Sequence, residues 1–160
     1  MKKTRGNYNI VGSAGEFFVS AELSRRSVIA TLTLKNTPLI DVIATNPLKG
    51  LTANIQVKTR SQSNKQGWVL SKKVEEESNV RNLFYIFVNL KELDELPDYY
   101  IIPHNTFASY IVRKHQLWLS GTYKDGQSRM DNSIRNFKPD KDDAEFGRQF
   151  KSNWELLGIF

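Results

Sequence analysis

Apolar residues recur at helical spacing from Ser13 to about Ser24, where Ala14, Phe17, Phe18, Ala21 and Leu23 form a stripe. Ser13 stands at the N-cap position with Glu16 three residues on, so the spacing predicts a capping box at the start of this helix. The period then shortens. Val28 to Leu34 is apolar and β-branched, and Leu39 to Ala44 is a second short apolar run broken by one carboxylate, Asp41. Asn46-Pro47-Leu48-Lys49-Gly50 predicts a turn. From Leu51 to Arg60 the residues alternate, with Ile55 and Val57 on one face and Gln56, Lys58 and Arg60 on the other. A polar loop, Ser61 to Gly67, leads to a short strand at Trp68-Val69-Leu70.

Phe84 to Val88 is apolar at every position, as in a strand covered on both faces. A strand at Tyr99 to Pro103 and a helix from Asn105 to about Leu119 follow, with Phe107, Ile111 and Trp118 on the core side. Gly121 to Lys138 is polar and irregular, with a hairpin expected at Asp125-Gly126. Phe146, Phe150, Trp154 and Leu157 then make a one-sided stripe, which predicts a last helix over Lys141 to Leu157. The sum is an α/β fold, a central mixed sheet flanked by helices. Its 160 residues contain no repeat or long linker, so a single domain over 1–160 is expected.

Charge changes this picture of a generic α/β chain. The net charge is +6, and residues 1–80 hold 12 basic against 6 acidic side chains while residues 81–160 hold 11 of each. A one-sided excess of positive charge favours a polyanionic partner, nucleic acid or an anionic surface. With no Cys, disulfides, thiolate zinc sites and thiol catalysis are excluded. Two His residues, His104 and His115, cannot build a three-His metal site. No apolar run approaches the ~18 residues of a membrane span and no apolar signal segment follows the basic start. A cytoplasmic protein without membrane attachment is therefore expected.

The candidate chemistry lies in two neighbouring strands. Asp41 interrupts one, and Gln56-Val57-Lys58 follows fifteen residues later in the next. A hairpin turning at Asn46 to Gly50 sets them side by side, and Gln56 and Lys58 share a face. Charges in strands this apolar are paired or used. An Asp41–Lys58 ion pair closing a sheet edge is one reading and a reactive site is the other.

The order of these pieces resembles the PD-(D/E)XK nuclease superfamily. The pieces are Gly12-Ser13-Ala14-Gly15-Glu16-Phe17-Phe18 in a first helix, Asn36-Thr37-Pro38-Leu39-Ile40-Asp41, Ile55-Gln56-Val57-Lys58-Thr59-Arg60, and Tyr99-Tyr100-Ile101-Ile102-Pro103 before a helix. The match is to the variant whose middle acid is Gln, as in Mrr-type restriction endonucleases and relatives of archaeal Holliday-junction resolvases, and it spans about residues 12–112. The resemblance implies a restriction-endonuclease-like fold and hydrolysis of DNA phosphodiester bonds. It assigns Asp41, Gln56, Lys58 and Glu16 to catalysis, with Asp41, Gln56, the Val57 carbonyl and Glu16 around Mg²⁺, for which Mn²⁺ can substitute, and Lys58 beside the attacking water. Glu16 has two explanations, the metal and the capping box. Gln56 removes one negative charge from the usual site, and Ile40 stands where Pro often precedes the Asp, so an inactive module that binds nucleic acid or a protein partner also fits the pattern. Arg60 and Lys65 after the catalytic strand, and Lys2 and Lys3 at the start, are candidate DNA contacts. A homodimer would suit cutting of both strands.

Overall fold

The computed structural model describes residues 5–34, 37–61 and 63–160, with side chains from residue 9 onward. The elements run α1 (Arg5–Ser24), β1 (Ile29–Leu32), β2 (Val42–Asn46), β3 (Leu51–Arg60), β4 (Trp68–Ser71), β5 (Leu83–Asn89), β6 (Asp98–Pro103), α2 (His104–Leu119), β7 (Ile134–Phe137) and α3 (Ala144–Arg148). A five-stranded sheet has the order β1-β2-β3-β5-β6. The first three strands are antiparallel neighbours, β3 and β5 are parallel, and β5 and β6 are antiparallel. This is the expected mixed sheet between helices. Its interior strand β5 is buried from Leu83 to Val88, because consecutive side chains feed opposite layers.

On one face, Val19 and Leu23 of α1 pack with Val42, Ala44, Ile55 and Val57, joined by Trp154 and Leu157. On the other, Tyr85, Phe87 and Ile102 meet Phe107 and Ile111 of α2, Trp68 and Phe137 of a small β4–β7 sheet, and Phe150. The turn at Asn46 forms as expected. The Asn46 Oδ1 accepts from the Leu48 and Lys49 amides at 3.0 and 3.1 Å, and Gly50 takes φ +65° to close it.

Five expectations change. α1 begins at Arg5, so Ser13 lies inside the helix and no capping box forms at Glu16. The strand expected from Leu39 begins only at Val42, because Pro38 lacks an amide proton and Leu39 sits at φ 63°, off the extended region. The polar stretch before Lys138 hides β7, whose inward positions are Arg135 and Phe137. A buried arginine gives no hydrophobic alternation to read. Trp118 is half-buried rather than core, stacked on His115.

The long last helix breaks into α3 and a short 3₁₀ turn at Trp154–Leu157. Between them the chain pairs with the outer edge of β6. The Ile101 amide donates to the Phe150 carbonyl at 3.0 Å and the Ser152 amide to the Tyr99 carbonyl at 2.9 Å. Satisfying that exposed edge outweighs continuing the helix.

Candidate functional site

β3 runs on to Arg60 after its pairing with β2 ends at Ile55, so the sheet forks there. Asp41 stands in the crotch of the fork, just before β2 begins. Three backbone contacts fix it: its amide donates to the Ile55 carbonyl at 2.8 Å, and its carbonyl accepts from the Thr33 amide at 3.0 Å and the Thr33 hydroxyl at 3.4 Å. Its Oδ2 accepts from the Val57 amide at 2.7 Å, doing the work that the next backbone carbonyl of β2 would do had the strand continued. In a β-strand the N–H and C=O of one residue share an edge, so the Val57 carbonyl points to this same edge.

The register does not run on past Val42↔Ile55: the Asp41 amide still donates to the Ile55 carbonyl, so Asp41 pairs with Ile55 and not with Gln56. Gln56 and Lys58 are two apart on β3 and face the layer that holds Tyr85 and Phe87, their neighbours on β5. Gln56 and Lys58 thus share a face, and Asp41 stands beside it at the fork, its carboxylate on the amide of the intervening Val57. Lys58 is half-buried, and its carbonyl is held by the Trp68 indole N–H at 2.8 Å. Burial pushes the Lys58 ammonium below its ordinary value, while the Asp41 charge pulls it partly back. Asp41 is thus near enough to be felt, yet among the described residues no carboxylate lies within 4.0 Å of the Lys58 amine. The direct ion pair that would explain both residues structurally is not formed.

The other sequence candidates are placed differently. Glu16 is on α1, which packs on the opposite face of β3. The neighbouring Gly15 lies so close to Thr59 that an added Cβ would be 2.9 Å from the Thr59 Cβ and Cγ2. Arg60, expected to reach DNA, is only 6% exposed. Its guanidinium donates to Asn89 Oδ1 at 2.8 Å and Asp140 Oδ2 at 2.9 Å and lies 4.2 Å over the Trp68 ring. These partners, remote in sequence, turn it inward. Lys65 is exposed on the loop before β4. Lys2 and Lys3 lie outside the described residues. Among the described residues no group of three His, Cys, Asp or Glu side chains is placed to hold a metal ion. Thr33 and Trp68, which position Asp41 and Lys58, carried no sequence signal, since a strand threonine and a core tryptophan look alike with or without a site.

No protein-family model matches the chain, and no curated protein matches it. Among solved structures it is similar to a bacterial homing endonuclease, I-Ssp6803I, with a TM-score of 0.55 and 15% identity over 93% of this chain and 91% of that one. The chain and that endonuclease share a fold over nearly their full lengths.

Proposed function

We propose that residues 1–160 form one nuclease-like domain that hydrolyses DNA phosphodiester bonds with a divalent metal, on the Gln-x-Lys version of the PD-(D/E)XK site. The observation that carries this reading is the grouping at the fork: Asp41 on the Val57 amide, flanked along β3 by Gln56 and by a half-buried Lys58 that has no carboxylate within 4.0 Å among the described residues. A half-buried ammonium whose desolvation outweighs the pull of the nearby Asp41 costs stability, and such a group suits a site that receives an anion. The likeness to a homing endonuclease supports the same reading.

The donor set suits a hard cation. Asp41 Oδ1, the Gln56 amide oxygen and the Val57 carbonyl are all oxygen ligands, the class that Mg²⁺ and Mn²⁺ take, while Glu16, on the helix layer across β3, is left out of this set. Such an ion, when bound, would polarise the scissile phosphoryl group. Lys58 would hold the attacking water and offset charge developing on the phosphoryl oxygens. Asp41 is pre-positioned by its backbone clamp, so its geometry does not depend on a ligand. Lys65, Lys2 and Lys3 are proposed to contact the DNA backbone and position it over the fork.

A second reading, an inactive module that binds nucleic acid or a protein partner, is favoured by the Asp41–Val57 hydrogen bond, which gives the acid a purely structural use. Supercoiled plasmid incubated with the protein and Mg²⁺ or Mn²⁺ separates the two. Nicking or cutting that is lost in both Asp41→Asn and Lys58→Met supports the nuclease. DNA binding that weakens with salt, with no cleavage under either metal, supports the module. Cutting that survives both substitutions sinks the assigned site.

A further inference from the structure

α1 is apolar on both sides. Its inner side, Gly15, Val19 and Leu23, is buried in the core. Its outer side carries Ile10, Ala14, Phe17 and Ala21 at i, i+4, i+7 and i+11, a single stripe opposite the core-facing one. Ile10 is 69% and Phe17 62% exposed. From Gly6 to Ala21 the only charged residue is Glu16, a step of about 100° away from Phe17 around the helix and so off the stripe. A surface helix normally turns charge to water on this side. Between the two large side chains lies a shallow hollow of about 320 Å³, lined by Asn9, Ile10, Ser13, Ala14 and Phe17.

We infer that this stripe is the interface of a homodimer in which α1 packs antiparallel against α1 of a second copy. The pattern is large-small-large-small. With a twofold axis crossing between Gly15 and Glu16, Ile10 faces the other copy's Ala21 and Ala14 faces its Phe17, so every large side chain meets a small one. Phe17 of each copy then drops into the hollow over Ala14 of the other. An isologous contact requires this self-complementarity, and few stripes have it by composition alone. Charge points to the same occupant. Two copies of a +6 chain repel, and a stripe free of charge lets them touch without opposing like charges. DNA has nothing to pair with here. The contact area is modest. A Phe buries roughly 150–250 Å², and one helix pair sits at or below the small end of specific interfaces, about 1,200 Å² in total, so the dimer is of the weak, micromolar kind. The inference does not depend on the nuclease reading, since self-association is measured without DNA or metal.

Sedimentation equilibrium of the full chain at ~100 μM is expected to give a mass approaching twice 18.4 kDa, and Phe17→Asp to return it to one chain while circular dichroism stays unchanged. Added salt is expected to strengthen the dimer by screening repulsion, whereas it weakens DNA binding. The chain lacks Cys, so single thiols report geometry cleanly. Under mild oxidation a mixture of Ile10→Cys and Ala21→Cys chains is expected to form the mixed disulfide. Either variant alone should not, because like positions then lie about 16 Å apart along the axis, beyond the ~7 Å Cα span of a disulfide. A single-chain mass at ~100 μM, a dimer without the mixed disulfide, or self-cross-linking of either variant overturns the proposal.

Discussion

Replacing Lys58 with Met separates a reactive lysine from a structural one, because the two predict opposite signs for stability. Met keeps the aliphatic stem and its packing and removes only the ammonium. In this structure that ammonium is half-buried, its burial outweighs the attraction of Asp41, and no carboxylate among the described residues is within 4.0 Å. Losing the charge therefore relieves a desolvation cost and breaks no ion pair. We expect a gain of about 1 kcal/mol, within the range of stabilising changes bought by loss of function, or roughly 2–4 °C in Tm for a chain of this length. Thermal denaturation followed by circular dichroism at pH 7 in EDTA measures it, and the plasmid assay run in parallel is expected to show cleavage abolished. The pH dependence has a defined sign. Because the native-state value lies below the ordinary 10.5, the unfolded chain holds the proton longer, so wild-type stability rises as pH climbs through that depressed value toward 10.5 and the advantage of Met shrinks. A Lys58→Met variant less stable than wild type by 1 kcal/mol or more would refute the reasoning, since Lys58 would then be a bonded partner of Asp41.

Asp41→Asn and Asp41→Ala should part company. Asn keeps an oxygen for the Val57 amide and should leave Tm nearly unchanged while abolishing metal-dependent cleavage; Ala orphans that amide and should cost a further 1–3 kcal/mol or so in denaturant unfolding. Gly15→Ala should destabilise by about 1–2 kcal/mol, because the clash with Thr59 outweighs the ~1 kcal/mol helix-propensity gain. Thr59→Ala in the same chain should recover part of that loss, and strict additivity in the double-mutant cycle would show the two do not touch. Arg60→Ala should lower stability by about 2–3 kcal/mol through its lost bonds to Asn89 and Asp140 and its place over Trp68, yet leave the salt slope of DNA binding unchanged. A slope reduced by about one unit would instead make Arg60 a phosphate contact.

What could be read from the chain alone was whatever repeats locally. Alternation along Leu51 to Arg60 placed Gln56 and Lys58 on one face, and the solid apolar run at Phe84 to Val88 marked the strand covered on both sides. Asn46 and Gly50 marked the turn that brings Asp41 beside that face. These signals are local because side-chain direction follows from a period of two and turn shape from one or two residues. Only the tertiary structure decided how the ends of elements are used. Asp41 proved to stand at the mouth of the fork rather than within a strand, because its carboxylate takes a backbone donor that no longer has a strand beside it. The stripe from Phe146 to Leu157 was visible, but its helix gives way where the edge of β6 needs partners. Arg60 shares the sequence face of Lys58, yet Asn89, Trp68 and Asp140 draw it inward, while among the described residues no such partner meets the Lys58 amine. Which of two neighbouring cations is spent on the fold is a matter of long-range contacts, and no local period encodes it.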